Sequence, residues 1–258
     1  MTDERSIELS IEVPGTAEEV WAAIATGPGI SSWYVPHQVE ERDGGAASAR
    51  FGEGPGMEVP GRVASWEPPN RIVFDGGEGA GGFAFEWTVE AQDGGTCIVR
   101  LVNSGFGTGD DWDAQYDAMT DGWTMFLLNL KLHCTHFAGQ AATPIIPTSM
   151  WSTGRDDAWA ALTSGLGLAR HPEIGSQIVV AGDGAPTLAG EVVDATPWRL
   201  SLLVSEPAPG TALIAAEGMG DQIAVSVWMY LYGDAGAAAV ADGPVWQKWL
   251  DALGADAS

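Results

Sequence analysis

Early in the chain hydrophobic positions recur at every second place, and further on at every third or fourth. Ser6 to Val13 sets Ile7, Leu9, Ile11 and Val13 against Ser6, Glu8, Ser10 and Glu12, the pattern of a strand with one buried face. Pro14-Gly15 ends it. Thr16, with Glu19 three residues on, forms a capping box that predicts a helix from Ala17 to about Ala25, carrying Val20, Trp21 and Ile24 inward. A second short helical turn is expected around Gly29 to Trp33. Strands are predicted at His37–Arg42, Ala47–Phe51 and Met57–Trp66, divided by the hairpin signals Asp43-Gly44-Gly45 and Gly52–Gly56. Pro68-Pro69-Asn70 turns into a strand at Arg71–Phe74. Phe83–Glu90 alternates again, with Phe83, Phe85, Trp87 and Val89 on one side and Glu86 toward solvent.

The stretch Thr96–Phe137 joins both periodicities. It begins as a strand with Ile98, Arg100, Val102 and Ser104 on one face and Val99, Leu101 and Asn103 on the other. Gly105, Gly107 and Gly109 break it. Asp110 or Asp111 can cap the helix beyond them, and the acidic first turn suits the positive end of its dipole. From Trp112 to about Phe137, a stripe of Tyr116, Met119, Thr120, Trp123, Leu127, Leu130 and Cys134 predicts a long amphipathic helix. The order is strand, two short helices, a meander of antiparallel strands and a long helix. That is an α+β domain rather than a parallel sheet.

Gly139–Thr148, with Pro144 and Pro147, reads as a linker. Beyond it the chain echoes its first half. Asp157-Ala158-Trp159-Ala160-Ala161-Leu162 matches Glu19-Val20-Trp21-Ala22-Ala23-Ile24, and GEVVDATPWRLSLLV from Gly190 matches GRVASWEPPNRIVFD from Gly61. Asp242-Gly243 with Trp246 and Leu250 repeats Asp121-Gly122 with Met125 and Asn129. Three matches in the same order predict a diverged internal duplication whose second copy is shorter. The expected division is a complete domain over 1–138, a linker over 139–149 and a reduced domain over 150–258.

Composition narrows the functions open to such a chain. At 258 residues with 45% hydrophobic content it can bury a substantial core, and its twelve tryptophans suit bulky packing or a cavity for a large apolar ligand. The formal charge of −24 would repel phosphate backbones and anionic membranes. Cys97 and Cys134 do not make a disulfide framework. The opening MTDERSIELS lacks a basic segment followed by an apolar run, and no stretch has the length of a membrane span. The expectation is a cytoplasmic protein, monomeric or homodimeric, that binds neither nucleic acid nor membrane.

The chain resembles the START/Bet v 1-like (SRPBCC) superfamily, and within it the homologues of the heat-shock-protein ATPase activator. The resemblance rests on Val20-Trp21-Ala22-Ala23-Ile24, the turn with Trp33-Tyr34, Gly61 through Trp66-Glu67-Pro68-Pro69 to Arg71, and Ser104-Gly105-Phe106 followed by Gly122-Trp123, Leu127 and Leu130. It covers about residues 5–138, with the C-terminal half similar to a second, degenerate copy. It implies a helix-grip fold, a curved antiparallel sheet wrapping the long helix, with an elongated apolar cavity between them. Family members bind lipids, hormones or polyketides, a minority are cyclases or aromatases, and some give self-resistance to enediyne antibiotics. Co-chaperone activity is not implied for most bacterial homologues.

On that fold, Trp66, Phe83, Phe85, Trp87, Tyr116, Met119, Trp123 and Leu127 are expected to point into the cavity, with Trp33 and Tyr34 near its mouth. Arg100, Ser104 and Tyr116 are its expected polar groups, and Tyr116 and Arg100 the handles of a cyclase- or hydrolase-like alternative. His133 and His136 make too sparse a set for a metal and are expected to serve the C-terminal end of the helix. Asp117 and Asp121 read as a solvated face. No Gly-x-Ser-x-Gly or phosphate-cradling glycine loop is present, and no cofactor or metal is expected. Trp198, Trp228, Tyr230, Tyr232, Trp246 and Trp249 of the second copy could line another pocket or serve as packing. The expected partner is a bulky hydrophobic small molecule, with protein-partner binding as a further alternative.

Overall fold

The computed structural model describes residues 5–52, 56–77, 82–107, 110–219 and 222–256. It divides the chain into two compact units, Met1–Ala141 and Ala142–Ser258. The break expected at Gly109, part of the Gly52–Gly56 turn, and the side chains of Asp110 and Asp111 lie outside the described residues.

The first unit runs β1 (Arg5–Pro14), α1 (Ala17–Ala25), α2 (Gly27–Ile30), β2 (His37–Val39), β3 (Ala46–Arg50), β4 (Glu58–Glu67), β5 (Arg71–Asp75), β6 (Ala84–Gln92), β7 (Thr96–Phe106) and α3 (Asp110–His136). Its seven strands lie in the order β1-β7-β6-β5-β4-β3-β2, antiparallel throughout. The first strand thus closes against the last, and the meander unrolls away from it. The alternation read in β1 and β7 sends Ile7, Val13, Cys97, Val99 and Leu101 into one core with Trp123, Leu127, Leu130 and Cys134 of α3. This is the helix-grip arrangement, in which one face of the sheet wraps the long helix.

The start of α1 forms as its sequence dictates. Thr16 Oγ1 accepts from the Glu19 amide at 3.3 Å, and Glu19 returns a carboxylate to the Thr16 amide at 2.9 Å. Thr26 then caps α2. Gly29 is required there, because a Cβ would stand 2.0 Å from the Ala22 carbonyl oxygen. The close approach of α2 to α1 lets Trp33 reach back, its indole N–H donating to Ala23 O at 2.9 Å. From the other side, Asn129 of α3 donates to Trp33 O at 2.8 Å. Trp33 is 1% exposed and held at both ends, which fixes the position of Tyr34 beside it.

The second unit repeats this plan with one strand fewer on the main path of its sheet. It comprises β8 (Thr143–Ile145), β9 (Thr148–Trp151), α4 (Arg155–Gly165), β10 (Gln177–Val179), β11 (Ala189–Thr196), β12 (Arg199–Glu206), β13 (Gly210–Met219), β14 (Gln222–Leu231), α5 (Gly233–Ala238) and, after a 3-10 turn, α6 (Gly243–Asp256). Its order is β10-β11-β12-β13-β14-β8, with β9 also on β14, so the opening segment again pairs with the last strand. The register gives independent support for a copied plan. A bulge falls between Val63 and Ser65 of β4, and another between Val192 and Asp194 of β11, at matching places in the aligned sequences. After each, an arginine at the start of the next strand reaches a glutamate one strand further on: Arg71 to Glu86 at 2.6 Å and Arg199 to Glu217 at 3.2 Å.

One boundary differs from the sequence expectation. Residues 139–149, read as a linker from their prolines, contribute β8 and the first residues of β9. Pro144 lacks an amide proton and still fits, since β8 is the outermost strand of its sheet.

Candidate functional site

Between the sheet and the N-terminal half of α3, the first unit holds a half-open cavity of about 690 Å³. It is hollow because the residues around one end are small. Ala47 and Ala49 of β3, Gly61 of β4, and Ala118 and Gly122 of α3 all line it. A Cβ built on Gly122 meets nothing within 4 Å. Further along α3, Leu127, Leu130 and Cys134 are buried in continuous packing. The helix is therefore a cavity wall over its first half and a core element over its second.

The other walls are rings. Tyr34 sits at their centre, with ring centroids 4.6 Å from Phe126, 5.0 Å from Trp123, 5.5 Å from His37, 5.8 Å from Trp33 and 6.1 Å from Phe51. Trp123 also meets Phe85 at 5.6 Å and Trp87 at 5.5 Å, both edge-on. Its indole N–H donates to Asn103 Oδ1 at 3.3 Å, and Asn103 in turn donates to Ala84 O at 3.2 Å. This chain of bonds fixes the Trp123 ring.

The polar lining is sparse. Arg62 and Asp75 face each other on β4 and β5 and form a two-point pair, at 3.2 Å from Nε and 2.9 Å from Nη2. That bond holds the Asp75 carboxyl below the usual carboxylate range. His37 lies on edge strand β2 with Nδ1 2.7 Å from Val35 O, and burial lowers the pKa of its imidazole. Burial raises that of the Tyr34 phenol.

Of the expected ligand-contacting residues, Trp33, Tyr34, Phe83, Phe85, Trp87, Met119 and Trp123 line this cavity. Five others are placed elsewhere. Arg100 is on the opposite face of β7, paired with Glu8 at 2.6 Å. Ser104 shares that face, since the inward positions of β7 are Cys97, Val99, Leu101 and Asn103. Tyr116 donates to Ser6 O at 3.1 Å, lies under the Arg5 guanidinium at 3.8 Å, and packs on Phe106. Trp66 turns inward at the α1 end, edge-on to Trp21 at 5.0 Å. Leu127 belongs to the solid core. Sequence reasoning missed His37, Phe51, Arg62, Phe74, Asp75 and Phe126. Period two in β7 would have excluded Arg100 and Ser104 and named Asn103 instead.

Residues 14–134 match the model of the family described as activator of Hsp90 ATPase homolog 1-like protein (AHSA1). That match spans most of the N-terminal unit, whose fold is AHSA1-like. An uncharacterized protein of Mycobacterium tuberculosis (strain ATCC 25618 / H37Rv), Rv1546, is 26% identical over 110 residues, 39% of this chain and 77% of that one. Among solved structures, the Aha1 dimer from Colwellia psychrerythraea is 20% identical with a TM-score of 0.42, over 50% of this chain and 96% of its own. The di-domain ARO/CYC BexL from the BE-7585A biosynthetic pathway is 17% identical with a TM-score of 0.45, over 97% of this chain and 98% of its own.

Outside the cavity, the AHSA1-like unit holds buried groups that are chemically quiet. Cys97 and Cys134 are free thiols, and burial pushes Cys134 up to about 12. His133 is 4% exposed and burial brings it down to about 4, so the ring is neutral at pH 7. His136 is exposed. Among the described residues, no three His, Cys, Asp or Glu side chains are grouped to hold a metal, and no helix is long and apolar enough to cross a membrane. In the second unit Trp246 and Trp249 meet edge-on at 5.6 Å. Trp246 is core, Trp198 donates to Asp156 at 3.0 Å, and Trp228 donates to Thr148 at 2.9 Å from the other face of β14.

Proposed function

We propose that the AHSA1-like unit binds a bulky, mostly apolar small molecule between its sheet and the first half of α3. The observation that carries this reading is the cavity: about 690 Å³, walled by aromatic rings, within the range of small-molecule sites. The class it suits is a polyketide, enediyne-type or lipid-like metabolite, bound for carriage or self-protection. A cyclase- or hydrolase-like activity resting on Tyr116 and Arg100 is not favoured, because both are engaged outside the cavity.

The test is a titration of the protein with a panel of polycyclic polyketides and lipids, followed by tryptophan fluorescence. Trp33, Trp87 and Trp123 all line the site, so a bound ligand is expected to change the emission. Gly122→Leu serves as the control. It projects a side chain into open space and replaces a mid-helix glycine, so the variant is expected to fold at least as stably as wild type, gaining up to about 1 kcal/mol from helix propensity. It is expected to lose the response. Equal responses from wild type and Gly122→Leu, or none from either, would sink the reading.

A further inference from the structure

Two side chains on the cavity wall carry polar atoms that no described residue engages. His37 Nδ1 lies 2.7 Å from Val35 O. A carbonyl oxygen only accepts, so Nδ1 bears the proton, and Nε2 of the neutral ring is then a bare acceptor. Burial, which outweighs the opposing effect of the Val35 bond, favours that neutral form. The Tyr34 hydroxyl has no hydrogen-bond partner among the described residues. Burial also keeps its proton on, so it is a donor as well as an acceptor. Both side chains are half-buried on the cavity lining, so a ligand there can replace solvent on these atoms. These two line the same hollow with ring centroids 5.5 Å apart, within the span of one ligand ring system.

The surroundings restrict what could satisfy them. The nearby walls are aromatic faces and edges, which favour a flat ring. The cation on the lining, Arg62, is already matched in two-point fashion by Asp75, so nothing here favours a carboxylate or phosphate. The group that fits both is one that donates a proton to His37 and accepts one from Tyr34. We propose that Tyr34 and His37 form a polar handle selecting flat ring ligands with a phenolic or enolic hydroxyl, whose proton goes to His37 Nε2 and whose oxygen accepts from Tyr34. This rests on the cavity reading above and adds a ligand class to it.

The test uses three probes of nearly one shape on the full chain: pyrene, methoxypyrene and hydroxypyrene, titrated against tryptophan fluorescence. Methoxypyrene can only accept, whereas hydroxypyrene accepts and donates. The wild type is expected to bind hydroxypyrene about tenfold more tightly than methoxypyrene, one good hydrogen bond's worth. His37→Phe is expected to abolish that preference while keeping pyrene binding. Tyr34→Phe is expected to weaken both oxygenated probes relative to pyrene by about fivefold. If the three probes bind wild type equally, or the preferences survive in the variants, the handle is overturned and the cavity reading stands. If no probe binds, the cavity reading fails and takes the handle with it. Should His37→Phe not fold by circular dichroism, the hydroxy-to-methoxy ratio on wild type decides alone.

Discussion

His133 shows what a single buried side chain does to the stability of the first unit. Its ring accepts a proton near pH 4 when folded, against an ordinary 6.5. Between those values the unfolded chain holds more of the proton, so acid favours unfolding. The contribution is intact above pH 6.5, falls as pH drops toward 4, and changes no further below that. Each pH unit inside the window is worth up to about 1.4 kcal/mol. Chemical denaturation of wild type and His133→Leu is expected to show the wild type losing stability more steeply between pH 6.5 and 4. Parallel curves over that range would refute the assignment. Spacing alone does not reveal this, because a histidine three residues from the helix end reads equally as a surface cation. At Asn103 the alternation does carry the answer, since period two sets it on the face of Val99 and Leu101, and only its polarity argues for an outward position.

At the scale of elements, helix starts and strand faces were plain in the sequence, while the position of the cavity along α3 was not. The capping box, the meander and the long helix all follow from local spacing. One stripe from Tyr116 to Cys134 cannot say which half meets packed side chains and which meets space. That depends on small residues brought from β3 and β4, far away in sequence. One of the ties that hold the ring wall is the bond from Asn129 of α3 to the Trp33 carbonyl. Asn129 is fully buried, and its Oδ1 has no partner among the described residues, so the side chain is there for its donor. Asn129→Ala is expected to destabilise the protein by about 1–3 kcal/mol by stranding a buried carbonyl. It is also expected to weaken ligand binding, since Tyr34 follows directly on the released residue. Thermal melts and the same fluorescence titration check both. A variant that is destabilised but binds normally would separate the tie from the site.

The whole molecule is one plan used twice, and the two uses differ in what fills the space under the sheet. In the first unit small residues leave it open. In the second, Trp151, Trp159 and Trp246 are each 1% exposed and packed in one cluster with Leu162, Leu166 and Leu250. Gly254 of α6 belongs to that filling, because a Cβ there would stand 2.3 Å from the Trp151 ring nitrogen. The sequence of the second copy is rich in tryptophan, but no spacing rule says whether a ring lines a hollow or plugs one. Each unit has its own core and closes its own sheet, first strand against last. Each therefore meets the requirements of an independently folding domain. Residues 1–141 expressed alone are expected to melt cooperatively and to bind the same ligands with the affinity of the full chain. Residues 142–258 alone are expected to fold and not to respond to them. Calorimetry and the fluorescence titration on the two fragments decide this. A first fragment that folds but has lost the ligand would show that the binding site needs residues beyond Ala141, and a responsive second fragment would show that its tryptophans enclose a site of their own.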